Sequence, residues 1–112
     1  MFEWSPDGRL IYFSALKNAI GDIWSLDVET RELKNLTQDE FADYAPTVSA
    51  DGKFLVYIAR ISGNNKLFRL DLATGAKIWE FEAGASIVAS PAVASGRIVI
   101  GSQDGVLYAF GH

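Results

Sequence analysis

Two aspartates at matching positions, Asp27 and Asp71, are the residues whose type and spacing could serve acid–base chemistry. Each ends a strand-like run of the form apolar–aromatic–x–Leu–Asp, and the two lie 44 residues apart. A pair of carboxylates can act as general acid and base when both face one substrate. Asp oxygens also accept hydrogen bonds from backbone N–H groups in turns. Because the repeat explains both aspartates without catalysis, we predict that they cap turns.

Other groups with catalytic or ligand chemistry are missing. The chain has no cysteine, and its single histidine is His112. It therefore offers no thiolate nucleophile, no Cys or His set for zinc and no interior base for a Ser-His-Asp relay. No predicted helix follows the glycines of residues 101–105, so they do not form a phosphate-binding loop. We expect no enzyme activity, no metal and no cofactor.

Charge patterning argues against nucleic acid and membrane partners. The formal net charge is −4, and the ten Lys and Arg residues are scattered rather than clustered, whereas nucleic-acid binding uses a basic patch. No apolar window is long enough to cross a bilayer, and the sequence as written shows no export signal. The acidic cluster Asp39, Glu40 and Asp43 is interpreted as solvated surface, with a bound cation or basic peptide as the alternative.

A 44-residue repeat must position these residues. Residues 7–12 return as residues 51–56 and, more loosely, as residues 95–100. Strand-rich repeats of this length are typical of β-propeller blades, which stack on one another to bury their faces. Each Asp-Gly pair between apolar runs is predicted to form a two-residue hairpin turn. These pairs are Asp7-Gly8, Asp51-Gly52 and Asp104-Gly105.

The pattern predicts an all-β protein of eleven short strands and no helix. The second strand of each unit is apolar on both faces, which indicates packing layers on both sides of each sheet. A parallel α/β sheet would need crossover helices, and no 3.6-residue pattern is present. The predicted strands are 2–5, 9–15, 22–27, 32–37, 44–49, 53–60, 65–71, 77–82, 88–94, 97–102 and 105–110.

Residues 2–75 resemble the TolB-type propeller repeat. The first copy carries the motifs Trp4-Ser5-Pro6-Asp7-Gly8, Ile23-Trp24-Ser25-Leu26-Asp27 and Leu36-Thr37. The second copy carries Pro46, Ser49-Ala50-Asp51-Gly52 and Leu70-Asp71-Leu72-Ala73-Thr74-Gly75. Arg31 replaces the turn glycine that Gly75 supplies in the second copy. We therefore expect a different geometry for the first of these turns.

Residues 71–110 resemble the repeats of quinoprotein-like propellers, the family of the outer-membrane assembly factor BamB. The motifs are Asp71-Leu72-Ala73-Thr74-Gly75-Ala76-Lys77-Ile78-Trp79, Ser90-Pro91-Ala92-Val93, residues 96–102 and residues 104–110. The resemblance implies that Trp79 docks on a neighbouring blade's turn and is structural. Quinone enzymes of this type use calcium ligands and a catalytic Asp in a complete eight-bladed ring, so the resemblance implies no cofactor here. The recurring aromatics Trp24, Phe68 and Tyr108 are interpreted as inter-blade packing rather than a ligand platform.

These observations predict one domain over residues 1–110, with blades at 2–37, 44–82 and 88–110. The third blade lacks its fourth strand, and residues 111–112 are interpreted as a tag or linker remnant. The predicted function is that of a non-catalytic structural repeat unit that self-associates. Its origin is interpreted as an engineered or recombined chimera, with a natural fragment as the alternative.

A two-fold dimer would complete a six-bladed ring. It would cover outward faces that we expect to carry Ile11, Phe13, Val99 and Ile100. The alternative is a protein- or peptide-binding scaffold of the bacterial cell envelope, and a third option is the accessory propeller of a serine peptidase. The residues themselves predict no location for the chain, and the resembled families are periplasmic or envelope-associated.

Overall fold

Eleven strands make up the fold in a computed structural model that describes residues 2–17, 20–38, 42–61, 64–82, 87, 91–94 and 97–111. The prediction of eleven strands is confirmed, and no helix occurs within those ranges. The strands are β1 (Phe2–Trp4), β2 (Leu10–Lys17), β3 (Ile20–Asp27), β4 (Leu33–Asn35), β5 (Ala42–Val48), β6 (Phe54–Ile61), β7 (Asn64–Asp71), β8 (Lys77–Glu82), β9 (Ala92–Ala94), β10 (Arg97–Gly101) and β11 (Leu107–Phe110).

The strands form three antiparallel sheets in chain order. The first sheet is β1-β2-β3-β4, the second is β5-β6-β7-β8, and the third is β9-β10-β11. Each strand pairs with its sequence neighbours, as in the meander of a propeller blade. The predicted fold class, all-β with four-stranded antiparallel blades, is confirmed for this chain.

The second sheet is buried on both faces, as the uninterrupted apolar run of β6 predicts. Leu55 and Tyr57 belong to a core cluster shared with the first sheet, which supplies Tyr12 and Ile23. The intervening residues of β6 point to the opposite face because side chains alternate along a strand. These residues, Phe54, Val56 and Ile58, pack in a second cluster with residues of the third sheet.

The third copy of the repeat is shifted by one residue relative to the 44-residue alignment. That alignment matches Ile98 with Phe54, but Ile98 and Ile100 are both buried against the second sheet. A one-residue shift moves every side chain of a strand to the other face. The expectation that Ile100 lies on an outward face is therefore wrong, whereas Val99 does point away from the second sheet.

The three Asp-Gly turns are longer than the predicted two-residue hairpins. In the first, the Gly8 N–H donates to the Ser5 carbonyl at 2.9 Å and the Ser5 N–H donates to the Leu10 carbonyl at 2.8 Å. Only the glycine adopts a positive φ, 74° at Gly8, and Asp7 does not. The prediction of two-residue turns is wrong because Ser5 and Asp7 hydrogen-bond each other and stabilise a four-residue turn instead.

Candidate functional site, a cleft between the turns of the first two sheets

Asp27 and Asp71 end β3 and β7 and accept hydrogen bonds from the turns that follow. The N–H groups of Glu29 and Thr30 donate to Asp27 Oδ1 at 2.9 and 3.2 Å. In the second sheet, the Ala73 N–H donates to Asp71 Oδ1 at 3.1 Å, and a threonine hydroxyl donates to Oδ2. Both carboxylates thus occupy the turn-capping positions expected from the sequence.

The turns after these two aspartates share one backbone geometry, although one contains arginine and the other glycine. Arg31 has a φ of 64° and Gly75 a φ of 77°. Their N–H groups donate to the carbonyls of Asp27 and Asp71, each at 2.7 Å. The expectation of a different geometry at Arg31 is therefore wrong, because the surrounding hydrogen bonds hold this arginine in a conformation that glycine adopts more easily.

An ion pair ties the first of these turns to the preceding hairpin. Arg9 Nε lies 3.0 Å from Asp27 Oδ2, and Arg9 Nη1 lies 3.7 Å from Glu29 Oε2. Partial desolvation favours the neutral form of Asp27, but the N–H groups of the turn and the Arg9 guanidinium outweigh it and hold the Asp27 pKa below its ordinary value. The hydrogen bond from Arg9 to Asp27 raises the pKa of Arg9. A lowered pKa keeps Asp27 ionised, which suits a cap rather than a proton donor.

Three Ser-x-Asp-Gly turns repeat one hydrogen-bond pattern. The hydroxyls of Ser5 and Ser49 donate to Asp7 Oδ1 and Asp51 Oδ1, each at 2.6 Å, and Ser102 donates to Asp104 in the same way. The serine hydroxyl is the main cause that lowers the pKa of each aspartate, followed by a backbone N–H at the first two sites. These carboxylates are therefore also turn elements.

A cleft of about 600 Å³ opens where the turns of the first two sheets meet. Its apolar wall is formed by Leu10, Tyr12, Leu36 and Leu72. Charged side chains line it as well, namely Asp27, Glu32, Lys34, Lys53 and Asp71. An apolar centre with a polar rim is the usual anatomy of a surface that binds a protein or peptide segment. We call this feature the turn cleft.

The structure brings Asp27 and Asp71 to this one cleft, but both remain engaged as caps. Neither carboxylate is left without hydrogen bonds, and the lowered pKa of Asp27 opposes its use as a general base near neutral pH. No group of three or more His, Cys, Asp or Glu that could hold a metal ion occurs in the described ranges. The turn cleft presents an apolar wall and charged side chains to a ligand.

The aromatic residues Trp24, Phe68 and Tyr108 do not meet at one platform. The Phe68 ring stacks on Tyr57, with centroids 5.4 Å apart, between the first and second sheets. Tyr108 packs between the second and third sheets, 4.9 Å from the ring of Phe81. Trp24 pairs with Phe13 on the outer face of the first sheet. Each aromatic thus occupies a different face of the stack.

Trp79 joins the second sheet to the third. It lies on β8, and its ring centroid is 5.3 Å from that of Phe110 on β11, with a tilt of 55°. The residue contacts the last strand of the neighbouring sheet and is half-buried. This position gives the ring a packing contact across the second junction.

Sequence reasoning missed one buried acid, Asp22, and misinterpreted another, Asp43. Asp22 accepts hydrogen bonds from Asn35 Nδ2 at 2.8 Å and from the Thr37 hydroxyl at 3.3 Å. Asp43 lies within β5 and is buried, so its interpretation as solvated surface is wrong; Asp39 and Glu40 lie outside the described residues. A carboxylate in a strand that also carries small or apolar residues is the signal that could have identified both. His112, the only histidine, also lies outside the described residues.

No helix in the described ranges is long and apolar enough to cross a membrane.

Among solved structures, a putative TolB from Agrobacterium tumefaciens is 18% identical, with a TM-score of 0.80, over 96% of this chain and 47% of that one. The β-propeller domain of the Trilobed protease from Pyrococcus furiosus is also 18% identical, with a TM-score of 0.76, over all of this chain and 40% of that one. These likenesses show the fold, which is part of a β-propeller.

Sequence comparison assigns the family. An uncharacterized protein of Agrobacterium fabrum is 27% identical over 67 residues, which are 60% of this chain and 23% of the relative. The chain thus spans less than half the length of each of these similar proteins. Residues 15–111 match the family model described as outer membrane protein assembly factor BamB. Because this match covers most of the chain, the protein belongs to the BamB family of propeller-repeat proteins.

Proposed function

We propose that this protein is a non-catalytic propeller scaffold that binds a protein or peptide partner in the bacterial cell envelope. The observation that carries this proposal is the match of residues 15–111 to a family described as an outer membrane protein assembly factor. The turn cleft supports it, because its apolar wall and charged rim suit an extended peptide segment. The engagement of the repeated aspartates in turns supports a role without catalysis.

The test is a binding measurement against the purified outer-membrane assembly machinery, with the chain immobilised. Charge reversal of the rim by Lys34→Glu and Lys53→Glu should weaken binding at least tenfold if the cleft is the contact surface. Arg60→Glu is the matched control, because this exposed residue lies near the other end of β6. No binding by the parent chain, or equally strong binding by all three variants, would contradict the proposal.

A second candidate role is structural self-association of the repeat unit. It is favoured by the large apolar side chains exposed on the first sheet, such as Phe2, which is 61% exposed.

We further propose that the chain joins a TolB-type part to a BamB-type part by recombination or design. The matching hydrogen bonds after Asp27 and Asp71 support this, because a junction at such a turn leaves the backbone unchanged. Although one BamB model spans residues 15–111, residues 1–70 should then match the TolB-type repeat better than the BamB repeat, and residues 76–112 should do the reverse.

A further inference from the structure

The outer face of the first sheet carries two cross-strand rows of large apolar residues. Cross-strand partners point to the same face of a sheet. One row joins Phe2, Phe13 and Trp24 through β1, β2 and β3, and the other joins Trp4, Ile11, Leu26 and Leu33 through β1 to β4. Phe2, Ile11, Phe13 and Leu26 line a shallow depression of about 380 Å³. The face is therefore shaped to receive a side chain.

The residue at one position of the repeat shows which side chain packs against such a face. Ile23, Leu67 and Leu107 each precede the recurring aromatic of the third strand in their sheets. Ile23 and Leu67 are 0% exposed, because each packs in the core cluster shared with the following sheet. Leu107 is 72% exposed. In the second cluster, Leu67 packs with Ile98 and Ile100 of the next sheet, whose counterparts in the first sheet are Ile11 and Phe13.

The outer face of the third sheet is complementary in size to that of the first. Apart from Leu107, this face carries the small or medium residues Ala92, Val99, Gly101 and Ala109 and, at the start of β10, the exposed Arg97. Well-packed layers set large residues against small ones at facing positions. A bulky aromatic face satisfies that requirement when it lies opposite mostly small residues, with Leu107 projecting at one end and Arg97 lying at the other.

We propose that a second copy of this chain covers the outer face of the first sheet with its third sheet, inserting Leu107 into the depression beside Ile11 and Phe13. In this contact the third sheet of one copy packs on the first sheet of the other. The two sheets have the same relative orientation as consecutive sheets within one chain. It is head-to-tail, and such contacts close into a two-fold dimer when each chain contributes half a turn. Three sheets per chain would then give a ring of six, within the usual range for propellers of about four to eight blades.

This inference extends the proposed scaffold role by naming one partner of the propeller unit. The solution mass of the purified chain tests it without any envelope protein, so the two proposals can fail separately. Light scattering at micromolar concentration should give about twice the 12.2 kDa of one chain. Leu107→Asp should halve that mass, because it places an unpaired charge in an apolar contact. Phe13→Lys should halve it as well.

The double variant Leu107→Asp with Phe13→Lys should restore the dimer, because each junction then contains an Asp–Lys pair. Leu16→Asp is the matched control, since Leu16 is 76% exposed and outside the two faces, and it should leave the dimer intact. Circular dichroism and thermal melts establish that each variant is folded. A parent mass of one chain, a larger open polymer, a dimeric Leu107→Asp variant or a folded double variant that stays monomeric would overturn the proposal.

Discussion

Arg31 holds in the first sheet the left-handed backbone conformation that Gly75 holds in the second, with φ angles of 64° and 77°. A residue with a Cβ in this conformation costs about 1–2 kcal/mol relative to the right-handed region. Both N–H groups still donate to the carbonyl of the aspartate that begins the turn. The hydrogen-bonded turn therefore determines the backbone at both sites, whichever residue occupies it.

The first prediction concerns this turn. Arg31→Gly should raise the free energy of unfolding by up to about 1 kcal/mol, because relief of the strained φ exceeds the extra entropy of glycine in the unfolded chain. Gly75→Ala should lower it by about 1–2 kcal/mol. Urea denaturation measures both. Arg31→Ala is the control and should leave stability unchanged, since it keeps the strain and removes only an exposed side chain; a gain as large as that of glycine would show that the side chain was the cause.

The second prediction concerns the junction between the second and third sheets. Trp79→Ala should lower the free energy of unfolding by about 1–3 kcal/mol, because the half-buried ring loses its contact with Phe110. Trp79→Phe should recover part of the loss. Ile78→Ala on the same strand is the control, since Ile78 is 54% exposed. Equal melting temperatures for the Trp79→Ala variant and the parent would contradict a structural role for Trp79.

The third prediction concerns the three Ser-x-Asp-Gly turns. Their aspartates, Asp7, Asp51 and Asp104, have folded-state pKa values lowered mainly by the serine hydroxyls. A lowered folded-state pKa contributes stability that is present above the unfolded pKa, about 3.9, and is lost as the pH falls through the folded-state value. The urea concentration at the unfolding midpoint should therefore decrease as the pH is lowered below about 4. The triple Asp→Asn variant should show a smaller fall between neutral and acidic pH than the parent, and an identical fall would contradict the assignment.

The fourth prediction concerns the buried carboxylate of the first sheet. Asp22→Ala should lower the free energy of unfolding by about 1–3 kcal/mol, because it leaves the Asn35 amide and the Thr37 hydroxyl without their acceptor. Glu32→Ala is the control, since this exposed carboxylate lies just before β4, and the change should stay within about 0.5 kcal/mol. The difference is measured by urea denaturation. A loss for Asp22→Ala no larger than for the control would show that the network does not contribute to stability.

The sequence by itself determined the fold class and the strands of this protein. The 44-residue repeat and the apolar runs of β2, β6 and β10 require sheets stacked face to face, because a strand that is apolar on both sides must be covered on both. The turn-capping positions of Asp27 and Asp71 also followed from local sequence, since a carboxylate at the end of a strand reaches the N–H groups of the next residues.

The tertiary structure alone decided which face each side chain occupies and how the turns are built. The one-residue shift of the third sheet placed Ile100 in the core, and pairing between strands, not spacing along the chain, sets that register. Burial of Asp43 in β5 comes from packing against the first sheet, where the Ser14 hydroxyl donates to the Asp43 carbonyl. The glycine-like turn at Arg31 exists because hydrogen bonds across the turn outweigh the backbone preference of arginine, so only the assembled sheet could show it.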